Sequence, residues 1–237
     1  MTHAIYFPER LHAHRTPNGH PEFWTRLKAI QEGLDVSKCG FLERRTAPVA
    51  SPDKALALHS PEYLSMLAEP FGDEDPIRSL DGMDTWLDHD SLSAALAGVG
   101  ASLEVIDQMA KGELTHGFVA TRPPGHHALA NEAMGFCLLS NVAVAARHAQ
   151  AAGAERVLIL DMDVHHGNGT QEAFYDDWRQ IRYVLADQAV GPRLQGEMKI
   201  GDPVRLRVRG EPGVEIVGTI AGFGESGRRQ LSTPTAT

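Results

Sequence analysis

Asp161, Asp163 and His165 close an apolar run, Val157-Leu158-Ile159-Leu160. The run reads as a buried strand of a parallel sheet. Strand side chains alternate between faces, so the three polar residues share one side as far as the strand conformation persists. Two carboxylates and an imidazole at the end of a buried strand carry a large desolvation cost unless something pairs them. A divalent ion meets that cost, and oxygen with imidazole nitrogen suits zinc or iron(II). A second stretch, Arg122-Pro123-Pro124-Gly125-His126-His127-Ala128, follows the apolar run 117–120. Adjacent histidines on a loop stiffened by Pro and Gly suit proton transfer near neutral pH.

These residues need a scaffold. Residues 5–7 read as a first strand, and 22–33 have helical spacing, with Phe23, Leu27, Ile30 and Leu34 on one face. Two short helices are expected over 52–58 and 61–67, each opened by a Ser-Pro. Residues 71–90 read as a Gly-, Asp- and Pro-rich loop. Ala-rich helices are expected over 91–111, stopped by Gly112, and over 141–152, stopped by Gly153. Strands alternating with helices predict a doubly wound α/β sheet, whose sites form outside the carboxyl ends of the strands. His126-His127 and Asp163-His165 both fall there.

The 237 residues allow a substantial core. Residues 1–178 hold 13 basic and 25 acidic side chains and all 12 histidines, whereas 179–237 hold 9 basic and 6 acidic. We therefore expect an α/β domain over 1–178 and a divergent tail over 179–237. The tail should contribute strands at 203–209 and 214–220 around a Gly-Glu-Pro-Gly turn, then a disordered end. The formal charge of −9, without a Lys/Arg block, argues against direct binding to nucleic acid and favours cationic substrates. Cys39 and Cys137 make no disulfide framework. No secretory signal is read at the N-terminus, and no apolar run approaches the ~20 residues of a membrane span. The expected location is the cytoplasm.

Residues 122–128, Gly135-Phe136-Cys137 with Asn141, and 161–171, preceded by His20-Pro21-Glu22 and Arg26-Leu27, together resemble the histone deacetylase superfamily. The form Asp-x-Asp-Val-His-His-Gly-Asn-Gly-Thr-Gln is similar to its class II branch, with bacterial deacetylases and acetylpolyamine amidohydrolases. The resemblance implies a three-layer arginase/deacetylase-like parallel sheet and removal of acetyl groups from acetylated lysine or acetylpolyamine. It also implies zinc, with iron(II) as the alternative ion. By the same resemblance Asp163 and His165 are two of three metal ligands. His127 is the principal general base and acid, His126 its electrostatic support, Asp161 orients His126, and Asn168 orients His127. Phe136 would line the acyl-lysine tunnel and the Gly135 backbone would contact the substrate stem. One of Asp81, Asp84 and Asp88 is a candidate contact to a peptide substrate. The backbone around 161–165 resembles the family's potassium site, whose other ligands would come from further along the chain.

The resemblance stops near Asp177. A third metal-binding Asp and an oxyanion-stabilising Tyr are both missing from the tail; Ala221-Gly222-Phe223-Gly224 places Gly224 where the Asp would stand. The domain thus reads as truncated, and a catalytically inactive deacetylase-like protein is the alternative. Arginase-like dimanganese hydrolases are a further alternative, with more His and Asp ligands than are visible here. A truncated sheet should leave an open edge and apolar surface, which is compatible with a homo-oligomer.

Overall fold

The computed structural model describes residues 2–8, 10, 13–37, 39–69 and 76–177, and the backbone of 181–185, 203–207 and 215–219. The first unit comprises residues 1–159 and 167–183. Its sheet has the order β2-β1-β5, formed by β1 (His3–Tyr6), β2 (Glu43–Arg45) and β5 (His116–Val119). Both pairings are parallel, with His3 opposite His116 and Ala4 opposite Glu43.

Alternation along β1 explains the layers. Ala4 and Tyr6 pack with Ala101 and Val105 of α4 (Ser91–Ala110). Ile5 and the following Phe7 pack with Leu27 and Leu34 of α1 (Thr25–Val36). The sheet is thereby covered on both faces, as a parallel sheet requires. The far side of α4 carries Leu96, Val99 and Leu103 into the largest core cluster. There they meet Tyr63, Leu64 and Leu67 of α3 (Pro61–Leu67) and Val144 of α5 (Asn141–Ala151). A helix buried on two sides should be apolar nearly all round, and the Ala/Leu-rich α4 is.

Both Ser-Pro signals open helices, α2 (Pro52–Ala55) and α3, and the Ser60 hydroxyl accepts from the Tyr63 N–H. Three expectations need correction. The helix predicted over 22–33 starts at Thr25, because Glu22 is held in the preceding loop, its carbonyl accepting from Thr16 and Arg122. It then runs through Gly33 to Val36, leaving Ile30 exposed. The loop predicted over 71–90 contains a hairpin of β3 (Ile77–Ser79) and β4 (Trp86–Asp88). Its strands are too short to leave a periodic signal. Residues 70–75 lie outside the described residues.

Strand β6 (Val157–Asp161) pairs with β7 (Ile181–Leu185), and α6 (Asn168–Ala173) stands between them in the chain. Among the described residues no strand lies on the outer edge of β5, where Phe118 is half exposed. The second unit comprises residues 160–166 and 184–237. It contains an antiparallel pair, β8 (Pro203–Arg207) and β9 (Glu215–Thr219), with Arg205 opposite Val217. This pair matches the two strands expected in the tail. The expected turn between them and the expected disordered end lie outside the described residues. No helix among the described residues is long and apolar enough to cross a membrane.

Candidate functional site

The tandem histidines sit on a loop fastened from three sides. First, Arg122 is buried and pairs with Glu22 in a two-pronged contact, Nε to Oε1 at 2.8 Å and Nη2 to Oε2 at 2.7 Å. The same guanidinium donates to the carbonyls of His14 at 2.5 Å and Glu22 at 3.0 Å. Second, Gly125 approaches the start of α5 so closely that a Cβ would lie 2.8 Å from the Leu139 carbonyl. Third, Gly169 of α6 lies against the backbone of His127 and Ala128, and the Thr170 N–H donates to the His126 carbonyl at 3.1 Å.

Within this frame the rings of His126 and His127 lie 4.0 Å apart, tilted by 47°. Nδ1 of His127 is 2.6 Å from the Asn168 carbonyl oxygen. That oxygen can only accept, so Nδ1 carries the proton and Nε2 is the basic nitrogen of the neutral ring. The Asn168 amide points the other way, toward the Met134 sulfur at 3.4 Å. The arrangement can take a proton at Nε2 and hold the resulting imidazolium by a fixed dipole.

Gly135 and Phe136 form the tip of a tight turn closed by reciprocal Met134–Cys137 backbone bonds of 3.1 and 2.8 Å. Both have positive φ, 53° and 69°, as a two-residue hairpin turn with mirror-image backbone requires. Glycine suits the first position. A Cβ there would also strike the His127 ring, lying 2.9 Å from Cγ. Phe136 is less natural in this conformation, which costs a non-glycine residue about 1–2 kcal/mol. Its N–H donates to Thr85 Oγ1 at 3.0 Å, and its ring meets His20 edge-on at 4.7 Å. His20 in turn accepts from the Glu22 N–H at Nδ1, so its Nε2–H donates to the Asp84 carbonyl at 3.0 Å. The segment 20–22, the 81–85 turn and Phe136 are thus one connected group.

Of the three acids in the β3–β4 region, two are structural. Asp81 Oδ1 accepts from Met83 N–H, Thr85 N–H and the Ser79 hydroxyl. Burial raises its pKa, but these bonds outweigh it and hold the carboxyl below its usual value. Asp88 is buried, accepts from Ser91 Oγ at 2.6 Å and from the Asp90 N–H, and so anchors the start of α4. Neither structural role falls to Asp84, the third of the candidate substrate contacts, whose carbonyl accepts from His20.

The segment expected to supply metal ligands looks different. Strand β6 ends at Asp161, so strand alternation does not place Asp163 and His165. Successive short bonds do. Asp161 Oδ1 accepts from the Asp163 N–H at 3.1 Å, and Asp163 Oδ1 from the His165 N–H at 2.7 Å. His165 Nδ1 also lies 2.9 Å from Asp163 Oδ1, with the two side chains 72% and 47% exposed. Asp163 and His165 belong to the second unit and the tandem histidines to the first. The donor atoms suit zinc, yet among the described residues no group of three His, Cys, Asp or Glu is disposed to hold an ion. Among the described residues, Asp163 and His165 are thus two candidate ligands, where a catalytic zinc usually takes three.

Glu22 and Thr85 are the supporting residues that motif reading did not assign. The signal for Glu22 was available: an acid in a matched motif that must be paired once buried, and an Arg at the head of the histidine loop. Thr85 left no signal, because only the hairpin brings it to Phe136.

Residues 20–185 match the Histone deacetylase domain family. The chain is 39% identical over 189 residues to a histone deacetylase-like amidohydrolase of Pseudomonas aeruginosa, covering 77% of this chain and 47% of that protein. It is 41% identical to the human polyamine deacetylase HDAC10, covering 64% of this chain and 24% of the relative. The crystal structure of the HDA15 HD domain superposes with a TM-score of 0.70 at 35% identity, over 78% of this chain and 53% of that one. The chain thus spans about half, or less, of these proteins, and it has their arginase/deacetylase α/β fold. The family match covers most of the chain and includes every motif residue described above, so the chain belongs to the histone deacetylase family.

Proposed function

We propose that this chain is a zinc-dependent amidohydrolase that removes acetyl groups from acetylated lysine or acetylated polyamines. The observation that carries the reading is the 2.6 Å contact between His127 Nδ1 and the Asn168 carbonyl, which leaves Nε2 basic inside a tightly packed loop. In the reaction His127 Nε2 accepts a proton as water adds to the acetyl carbonyl. It returns that proton to the amine as the C–N bond breaks, leaving acetate and the free amine. His126 supports the transient charge, and Asp161 orients His126. Phe136 and the Gly135 backbone guide the acyl chain, with Asp84 at the entrance. Zinc, or iron(II) in its place, would be held by Asp163 and His165 and would acidify the water and polarise the carbonyl. The names of the Pseudomonas and human relatives support the amidohydrolase and polyamine classes. The acidic charge of the chain suits a cationic amine product. Cytoplasmic location, homo-oligomerisation and a potassium ion near 161–165 belong to the same proposal.

A catalytically inactive reading is favoured by a different observation: the described metal ligands number two, and they are exposed and bonded to each other. Metal content and hydrolysis of an acetyl-lysine peptide, measured on one purified sample, separate the two. One zinc per chain with turnover that His127→Ala abolishes supports the hydrolase. No zinc and no turnover supports the inactive reading.

A further inference from the structure

At the start of β1 and β5, His3 and His116 are register partners on adjacent parallel strands. Their rings stack at 4.9 Å between centroids, and their Nδ1 atoms lie 3.1 Å apart. Phe41 stands edge-on to His3 at 5.9 Å, shielding one side of the pair. We infer that His3 and His116 form a two-imidazole site for a borderline divalent transition-metal ion, copper(II) above nickel(II) and zinc(II).

The argument starts from the lone pairs. Two neutral imidazoles with Nδ1 atoms this close repel unless something positive lies between them, either one ring's proton or a cation. An ion ~2.0–2.1 Å from each nitrogen would see the observed 3.1 Å separation under an angle of about 100°. That lies between the right angle of a square-planar ion and the tetrahedral angle. The strands hold the two Cα positions, so binding requires side-chain turning only. Both rings reach solvent, and water can complete the coordination. With nitrogen donors and no third His, Cys, Asp or Glu joining them among the described residues, calcium and magnesium are poor fits. The Irving–Williams order then places copper(II) first. The site shares no residue with the Asp161–His165 segment. An ion bridging β1 and β5 binds the folded chain in preference to the unfolded one, and so raises its melting temperature.

The test uses the full chain carrying Asp163→Ala and His165→Ala, so that the other metal ligands do not contribute. Copper(II) is titrated with electron paramagnetic resonance and thermal unfolding as readouts. The inference expects a two-nitrogen copper signal and a Tm rise of roughly 3–6 °C at ten times the dissociation constant. His116→Gln and His3→Gln should each weaken binding at least tenfold and remove the rise. His116→Gln is decisive, because copper held by His3 with nearby backbone nitrogens would survive it. Unchanged affinity in His116→Gln, or no copper-dependent Tm shift in the parent chain, overturns the inference. Both rings are at the surface, and a circular dichroism spectrum matching the parent's establishes that each variant is folded.

Discussion

The histidine loop and the Asp161–His166 segment carry the two halves of one motif set, and they are built by opposite means. Residues 122–128 are held by partners about a hundred positions earlier and about forty later: Glu22, His14, Asn168 and Gly169. The anchoring pair there is buried, with Arg122 and Glu22 side chains 2% and 0% exposed. Residues 161–165 are held by bonds spanning two positions, and Met162 and Val164 are 64% and 71% exposed. The half proposed to transfer protons is therefore held in place before any ligand arrives. The segment proposed to hold the metal is ordered at Asp163 and His165 by short-range bonds, on side chains that are largely exposed.

That contrast can be broken most directly at the buried ion pair. Glu22→Ala leaves the Arg122 guanidinium buried and unpaired, and should cost about 3–5 kcal/mol in urea unfolding. A loss below ~1 kcal/mol would mean the histidine loop does not depend on this anchor.

Acid should reach the same network. Burial, and then the nearby Arg122 charge, lower the His14 pKa to about 3 from the usual 6.5. Glu22 Oε2, 3.5 Å from Nε2, favours the charged ring, but Arg122 already neutralises that carboxylate and burial prevails. The unfolded chain then binds the extra proton between about pH 6.5 and 3. His14 thus contributes stability in full above pH 6.5, and it is lost as pH falls toward 3. The slope should approach ~1.4 kcal/mol per pH unit from this group. Burial lowers the His59 pKa as well, which adds in the same direction. Urea midpoints from pH 7 to 4 measure the slope, and His14→Gln should flatten it.

Two smaller changes probe the packing around His127. Gly135→Ala puts a Cβ against the ring at a backbone φ of 53°, and should cost about 1–2 kcal/mol while shifting the imidazole NMR resonances. Asn168→Ala removes the acceptor at Nδ1. It should release the tautomer, seen by imidazole 15N shifts, and lower any acetyl-lysine turnover about 10–100-fold. An unchanged tautomer would separate His127 from its proposed partner.

The smallest stability effect belongs to the other half. Asp163→Ala should change unfolding free energy by no more than ~0.5 kcal/mol, since its contacts are exposed and local. The same variant should remove zinc from a chain that binds it. A large destabilisation would show that the segment is as firmly built as the histidine loop.

What the amino-acid order determined by itself was local. The apolar runs of β5 and β6, the Ser-Pro starts of α2 and α3, and the Ala-rich α4 and α5 follow from short-range periodicity and capping. The identities of His126, His127, Asp161, Asp163 and His165 as chemical candidates follow from residue type and spacing, and that of Asn168 from the family resemblance. The two strands of the tail were legible as alternation, within a few residues of their ends. The tertiary structure decided what spacing cannot carry. Glu22 leaves the predicted helix because Arg122, a hundred residues away, takes its carboxylate and carbonyl. Asp81 and Asp88 turn out to be anchors because a hairpin and a helix start need acceptors there. Phe136 holds a positive φ because Thr85 and the Met134–Cys137 bonds keep it in place. For Glu22 and Phe136 a long-range partner outweighs a local preference of about 1 kcal/mol, and only the packed chain brings that partner within reach.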